Sequence, residues 1–377
     1  MKTEKNSYFI FGAVLIIALL AGGVSGFFAA TYNRGQAIGG EFDLNSYNNP
    51  NLVISDAKKV IVNQDLKVGE TYNSAQASLV RVFKPLVNNP KSKKLAVYDF
   101  SQSLAAGFIL TSDGWAALNL TSAEANALDI KKEDLKSLVV IAADKKEYKI
   151  DQIASSKAAD QAWVFIHLQN ANNLPVKKIG DPRSLQLGQS LLVISPRVAV
   201  LPTFLVAETY PEAVRNSDQN DGHLVLANDL SNDFKNSFIF NLNGDLVALV
   251  DSAKAIWPAS NLDLSWQRLA KAKTLNSPWF GAYYLDLEQA RLASSTLAYG
   301  ALVYPNAAGV AVASGSPAAT AGLKAGDVIL RLEGEDLKNG LSLSVALAGH
   351  QAGETITLTY WRDGQEHDLD IKLGQLK

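Results

Sequence analysis

Between residues 78 and 250 the chain is a succession of short β-rich runs that turn signals keep interrupting, and that rhythm leaves little room for anything but an all-β architecture. The runs are Ser78–Phe83, Gly107–Thr111, Leu138–Ala142, Trp163–Leu168, Ser190–Ser195, His223–Leu226, Ser237–Leu242 and Leu246–Val250. Asp113-Gly114 and Asn243-Gly244 are strong hairpin turns. The pattern predicts a barrel or sandwich, followed by one helix over Leu262–Lys273 with basic residues at its end. A second all-β unit with small helices begins near Ser277. Its predicted strands are Gly309–Val312, Asp327–Leu332, Thr355–Trp361 and Glu366–Leu373, the last two joined by Arg362-Asp363-Gly364-Gln365. Leu341–Ala348 reads as a helix stopped at Gly349.

The beginning of the chain is of another kind. No charged residue occurs from Asn6 to Asn33, and Tyr8 to Ala30 is almost wholly apolar or small. About 20 such residues in a helix span the hydrocarbon core of a bilayer. The run exceeds the core of a signal peptide, and no clean Ala-x-Ala site follows, although Val24-Ser25-Gly26 is a weak one. An uncleaved anchor is therefore expected over 8–31. Lys2 and Lys5 lie on its short leading side and place residues 1–7 in the cytoplasm, with the remainder outside. Residues 32–66, polar and rich in Asn and Gly, read as a tether with a short helix at its end.

Composition removes several functions. Lys+Arg of 35 against Asp+Glu of 37 gives no electrostatic case for nucleic acid. With no cysteine, disulfides and thiolate chemistry are excluded. The four histidines, His167, His223, His350 and His367, have no metal-site spacing, and no phosphate loop or nucleotide fingerprint occurs, so no cofactor is expected.

From about residue 76 onward, Ser78-Leu79-Val80-Arg81-Val82, and then Ala106-Gly107-Phe108-Ile109 with Asp113-Gly114-Trp115, resemble the first barrel strand and the strand and turn before the catalytic histidine in the HtrA/DegP family of trypsin-fold serine proteases. Asp160-Gln161-Ala162-Trp163-Val164 resembles the segment carrying the catalytic aspartate. Gly180-Asp181-Pro182, Leu187-Gly188-Gln189 and Ala255-Ile256-Trp257-Pro258-Ala259-Ser260-Asn261 resemble later landmarks in the same order. The closest likeness is Gly315-Ser316-Pro317-Ala318-Ala319 followed by Ala321-Gly322-Leu323-Lys324-Ala325-Gly326-Asp327-Val328-Ile329, the signature of the PDZ domain in this family. The resemblance implies a trypsin-like double β-barrel over 67–273 and a PDZ domain over 276–377. It also implies a trimer through the region before the first strand, where Tyr72 is the one candidate contact.

The catalytic positions depart from the family pattern. Counting from Asp113-Gly114-Trp115 places Thr121 where the histidine belongs, and Asp160 retains a carboxylate. The nucleophile falls on Lys235 in one register and on Ser237 in another, with Phe238 and Ile239 in place of glycines. Acyl transfer needs an imidazole beside the hydroxyl and backbone donors for the oxyanion. Ser237 and Lys235 could form a dyad, since residues two apart on a strand share a face, if Lys235 were buried.

These departures lead to the expectation of a non-enzymatic, membrane-anchored pseudoprotease, a peptide-binding scaffold or quality-control adaptor in the periplasm. The alternatives are an active serine endopeptidase with a rearranged site, or a structural subunit of a membrane complex. Peptide binding is expected at Trp279, Phe280, Gly281 and Ala282, which resemble the loop whose N–H groups hold a peptide's C-terminal carboxylate. Leu343 and Leu347, four apart on one helical face, would wall the side-chain pocket, with core packing as the competing role. A groove filled by the chain itself or by a neighbouring subunit is the alternative to free peptide binding.

Overall fold

The computed structural model describes residues 64–86, 96–120, 137–155, 163–196, 199–273, 275–292 and 297–376. The expected anchor over 8–31 and most of the tether lie outside them. Among the described residues no helix is long and apolar enough to cross a membrane.

The first described element is α1 (Gln64–Gln76), which begins at the end of the expected tether and lies mostly beyond it. A closed barrel follows, made from β1 (Leu79–Phe83), β2 (Ala105–Ile109), β3 (Trp115–Leu118), β4 (Val139–Ile141), β5 (Glu147–Ser155) and β6 (Val164–Leu168) in the order β1-β2-β3-β6-β5-β4. Apolar side chains at alternate positions, among them Val80, Val82, Ile109, Val140, Ile150 and Ile166, fill its interior. Asp113-Gly114 closes the β2–β3 hairpin, with Gly114 at φ 121.

The next strands are β7 (Ser190–Ile194), β8 (Val200–Thr209), β9 (Val214–Asn216), β10 (His223–Leu226), β11 (Phe238–Asn241), β12 (Leu246–Val250) and β13 (Ile256–Pro258). All but β9 form a six-stranded sheet in the order β10-β8-β7-β11-β12-β13. Helix α2 (Ser260–Ala272) ends at Lys273, which adopts the left-handed conformation of a helix C-terminus.

A shared apolar layer joins this sheet to the first barrel. Phe108 and Phe165 from one side meet Phe238 and Phe240 from the other, and the Phe108 and Phe240 rings lie 6.2 Å apart. Trp266 of α2 reaches across to Trp115 and Phe165, at 5.6 and 5.8 Å. Tyr72, the candidate trimer contact, packs half-buried against this same layer.

One polar residue ties the halves together. Asn119, buried just beyond β3, donates through Nδ2 to the carbonyls of Ser237 and Val250, each at 3.0 Å. Asn119→Ala would leave both carbonyls without that donor in a dry layer, so it should cost about 2–3 kcal/mol in urea unfolding. A loss within a few tenths would show that the staple contributes nothing.

The C-terminal part contains β14 (Pro278–Trp279), β15 (Tyr283–Asp286), β16 (Ala301–Val303), α3 (Pro317–Thr320), β17 (Val328–Leu332), β18 (Glu335–Asp336), α4 (Leu343–Ala348), β19 (Thr355–Arg362), β20 (Gln365–Lys372) and β21 (Gly374–Gln375). Its main sheet runs β20-β19-β17-β16-β15, and the strand beyond β15 is β9, from the middle of the chain. Asp363 and Gly364, both at positive φ, make the tight β19–β20 turn. The strand predicted over Gly309–Val312 is instead a loop. The Asn306 carboxamide accepts from the N–H groups of Ala308 and Val310, leaving a single bridge from Val312 to Ala282.

Candidate functional site

Ser237 sits at the entrance to β11, fully buried, and its hydroxyl has no hydrogen-bond partner. Lys235 is exposed, ending the short 3-10 turn Asn232–Phe234. Between them Asn236 takes φ 58, which breaks the alternation that would have put both side chains on one face. The dyad geometry is therefore not formed. Thr121 and Asp160 lie outside the described residues.

Each histidine is engaged elsewhere. His167 Nδ1 lies 2.7 Å from Asp151 Oδ1, and its ring packs on Trp115. His223 Nδ1 lies 2.7 Å from the Asp221 carbonyl, with its ring 4.0 Å from that of Trp257. His350 pairs with Glu354, and His367 stacks on Tyr360.

The most developed polar site is at the other candidate position. Gly281, at φ 84, turns the chain between Trp279 and Ala282, so that three successive N–H groups point the same way. Phe280 N–H donates to Asp218 Oδ1 at 2.6 Å, and Gly281 N–H to both Asp218 oxygens at 3.2 and 3.0 Å. Ala282 N–H donates to Ser217 Oγ at 3.0 Å. Burial pushes the Asp218 carboxyl above its ordinary range, and the two backbone donors work against that shift.

Ser217 and Asp218 directly follow β9, which is antiparallel to β15 in the register Val214↔Leu285, Arg215↔Tyr284 and Asn216↔Tyr283. Arg215, almost fully buried, reaches Asp286 Oδ2 at 3.1 Å and Gln289 Oε1 at 2.6 Å, with Tyr210 covering its guanidinium. Desolvation likewise raises the Asp286 carboxyl, opposed by the Glu288 N–H and by Arg215.

Leu343 is fully buried in the core of the C-terminal part. Leu347, one turn on, also lines a cleft beside the Trp279–Ala282 loop, together with Phe280, Trp257, Leu264, Arg268 and Leu376. Sequence reasoning located the loop but missed Ser217, Asp218 and Arg215. Short polar stretches such as Val214-Arg215-Asn216 carry no period from which a strand could be read.

Residues 290–373 match the family profile described as PDZ domain. The chain is similar to HtrA/DegP proteins, and its C-terminal part matches a PDZ domain. It is 27% identical over 292 residues to a probable periplasmic serine endoprotease DegP-like of Pseudomonas putida (strain GB-1), covering 73% of this chain and 57% of that relative. The chain thus spans little more than half the length of the curated relatives that it matches over most of its own. A serine protease Do-like HtrA of Lactococcus lactis subsp. lactis is 40% identical over 90 residues, 24% of this chain and 20% of the relative. Among solved structures, the HtrA-type protease AlgW with decapeptide superposes with a TM-score of 0.50 at 15% identity, over 82% of this chain and 99% of that one. That likeness establishes the fold.

These findings correct the expectation that the chain is not an enzyme. The relatives it aligns with across most of its length are named serine endoproteases. The register around Lys235 and Ser237 had two solutions, so counting does not fix which residue is the nucleophile. Absence of a residue at a counted position is therefore not absence of the chemistry.

Proposed function

We propose that the chain acts on polypeptide outside the cytoplasm and takes extended segments at the Trp279–Ala282 loop and β15 of its PDZ domain. The observation that carries this reading is the convergence of the Phe280, Gly281 and Ala282 N–H groups beside β15, whose outer edge already holds an antiparallel strand, an arrangement suited to a carboxylate and an extended backbone. The AlgW structure with its decapeptide supports the same reading by likeness of fold. The test is titration of the purified chain with an apolar-ended peptide as free acid and as amide. Loss of the terminal charge should weaken binding by about 1 kcal/mol or more. Equal binding of both forms would rule out carboxylate reading.

A second reading, favoured by the 292-residue similarity to proteins named serine endoproteases, is endopeptidase activity from a rearranged site, with Ser237 as the candidate nucleophile. Fluorophosphonate labelling that disappears in Ser237→Ala would assign it. Labelling retained in that variant moves the nucleophile elsewhere, and no labelling of the native chain removes the reading.

The apolar run over 8–31, with Lys2 and Lys5 before it, completes the proposal as a membrane anchor. The periplasmic naming of the relatives supports the same side for the barrels and the PDZ domain. Protease added to intact spheroplasts should digest everything beyond the anchor. Full protection would sink the topology.

A further inference from the structure

Resting on the peptide-binding reading, we infer that segment 214–218 is a built-in ligand of the PDZ site, which opens to an external polypeptide only when this segment leaves. Three independent contacts place the segment as a bound peptide would lie. Its backbone pairs antiparallel with β15, the Asp218 carboxylate takes the Phe280 and Gly281 N–H groups, and Ser217 Oγ takes the Ala282 N–H. No loop donor is left for a second carboxylate. Arg215 fixes the register through Asp286 and Gln289, so the segment cannot slide along β15 without losing a buried ion pair.

The same geometry indicates what displaces it. Asp218 continues into Gln219 and Asn220 rather than ending, and its side chain is committed to the loop. The apolar wall of the neighbouring cleft, from Phe280, Leu347, Leu264 and Leu376, therefore has no apolar side chain of the segment against it. A free polypeptide end with an apolar last residue satisfies the same N–H groups with its terminal carboxylate and adds burial against that wall. The competitor gains a contact that the built-in segment lacks, while the segment has the advantage of being tethered.

The chain contains no cysteine, so a single engineered pair gives one defined disulfide. Asn216 and Tyr283 face each other in the ladder, and the Tyr283 N–H donates away from β9, to Ala311. They form a non-hydrogen-bonded pair, the closer type, with Cα atoms about 4.5 Å apart, within disulfide reach. The probe is fluorescein-labelled Ala-Val-Arg-Asn-Ser-Phe with a free C-terminus, titrated into the full chain carrying Asn216→Cys and Tyr283→Cys. The oxidised chain should bind at least tenfold more weakly than the same chain reduced. Conversely, Ser217→Ala with Asp218→Ala should bind at least tenfold more tightly than the native chain.

Equal binding by the oxidised and reduced forms overturns the inference and leaves the peptide-binding reading standing. So does failure of the disulfide to form, because the segment is then not seated on β15. Unchanged affinity in the Ser217/Asp218 variant overturns it as well. No binding by either the reduced chain or that variant overturns the peptide-binding reading and the inference with it.

Discussion

Gly281→Ala should lower the stability of the PDZ domain by about 3 kcal/mol, the combined cost of a left-handed alanine and of overpacking. The residue stands at φ 84, and a Cβ there would overlap the Ser316 Cβ and approach its Oγ to 2.8 Å. Ser316 cannot easily yield. It caps α3 by accepting from the Ala319 N–H and holds the Gly281 carbonyl through its own hydroxyl. Moving either partner disturbs the helix start or the N–H cluster. Thermal unfolding of the full chain measures the loss, and peptide titration of the same variant should show binding abolished. A variant as stable as the native chain, with affinity intact, would mean the loop is more adaptable than its packing implies.

Arg362→Ala should cost about as much, roughly 3 kcal/mol, because it strands a buried carboxylate. Asp327 is 1% exposed and receives two guanidinium bonds from Arg362, Nε to Oδ1 and Nη2 to Oδ2, both at 2.6 Å. The same Nη2 reaches the Gly322 carbonyl, and the Lys324 N–H donates to Asp327 Oδ2. One arginine at the end of β19 thus staples the turn that leads into β17. Replacing both partners, Arg362→Ala with Asp327→Ala, should recover part of the loss, since no buried charge then remains unpaired. Additive losses in the double variant would show that the two side chains act independently.

How far the sequence spoke depended on the range of the forces involved. Asp113-Gly114, Asn243-Gly244 and Asp363-Gly364 mark turns through local backbone preference, and each sits between paired strands in the structure. The motif around Gly326-Asp327 announced the PDZ domain, although its letters did not disclose that Asp327 serves Arg362 from 35 residues away. Strand β5 was missed because charged and polar residues interrupt it and only Tyr148 and Ile150 of its nine residues are buried. Strand β8 was missed because Pro202 lies within it, a residue that argues against a strand. The loop at Trp279–Ala282 was located, whereas its occupant was not. Nothing local in Ser217-Asp218 distinguishes it from any other polar turn, and only tertiary placement brings its oxygens to those N–H groups. Nothing local in the sequence marks Asn119, and its role as a bridge between the halves appears only once Ser237 and Val250 are in place.

The pairing of β9 with β15 also constrains the order in which the molecule can be assembled. Residues 214–216 leave the ribosome well before residues 283–286, so β9 has no sheet to join while the six-stranded sheet is forming. During that interval β8 and β10 can pair with each other, and the intervening stretch from Tyr210 to Gly222 must stay out of that sheet. Only once the chain has been made past Asp286 can Arg215 meet it. The contact spans a long stretch of sequence and closes late, which places it among the slow steps of folding. A chain cut between the barrels and the PDZ domain would leave β15 with a bare edge, a row of unpaired N–H and C=O groups open to a strand from another copy.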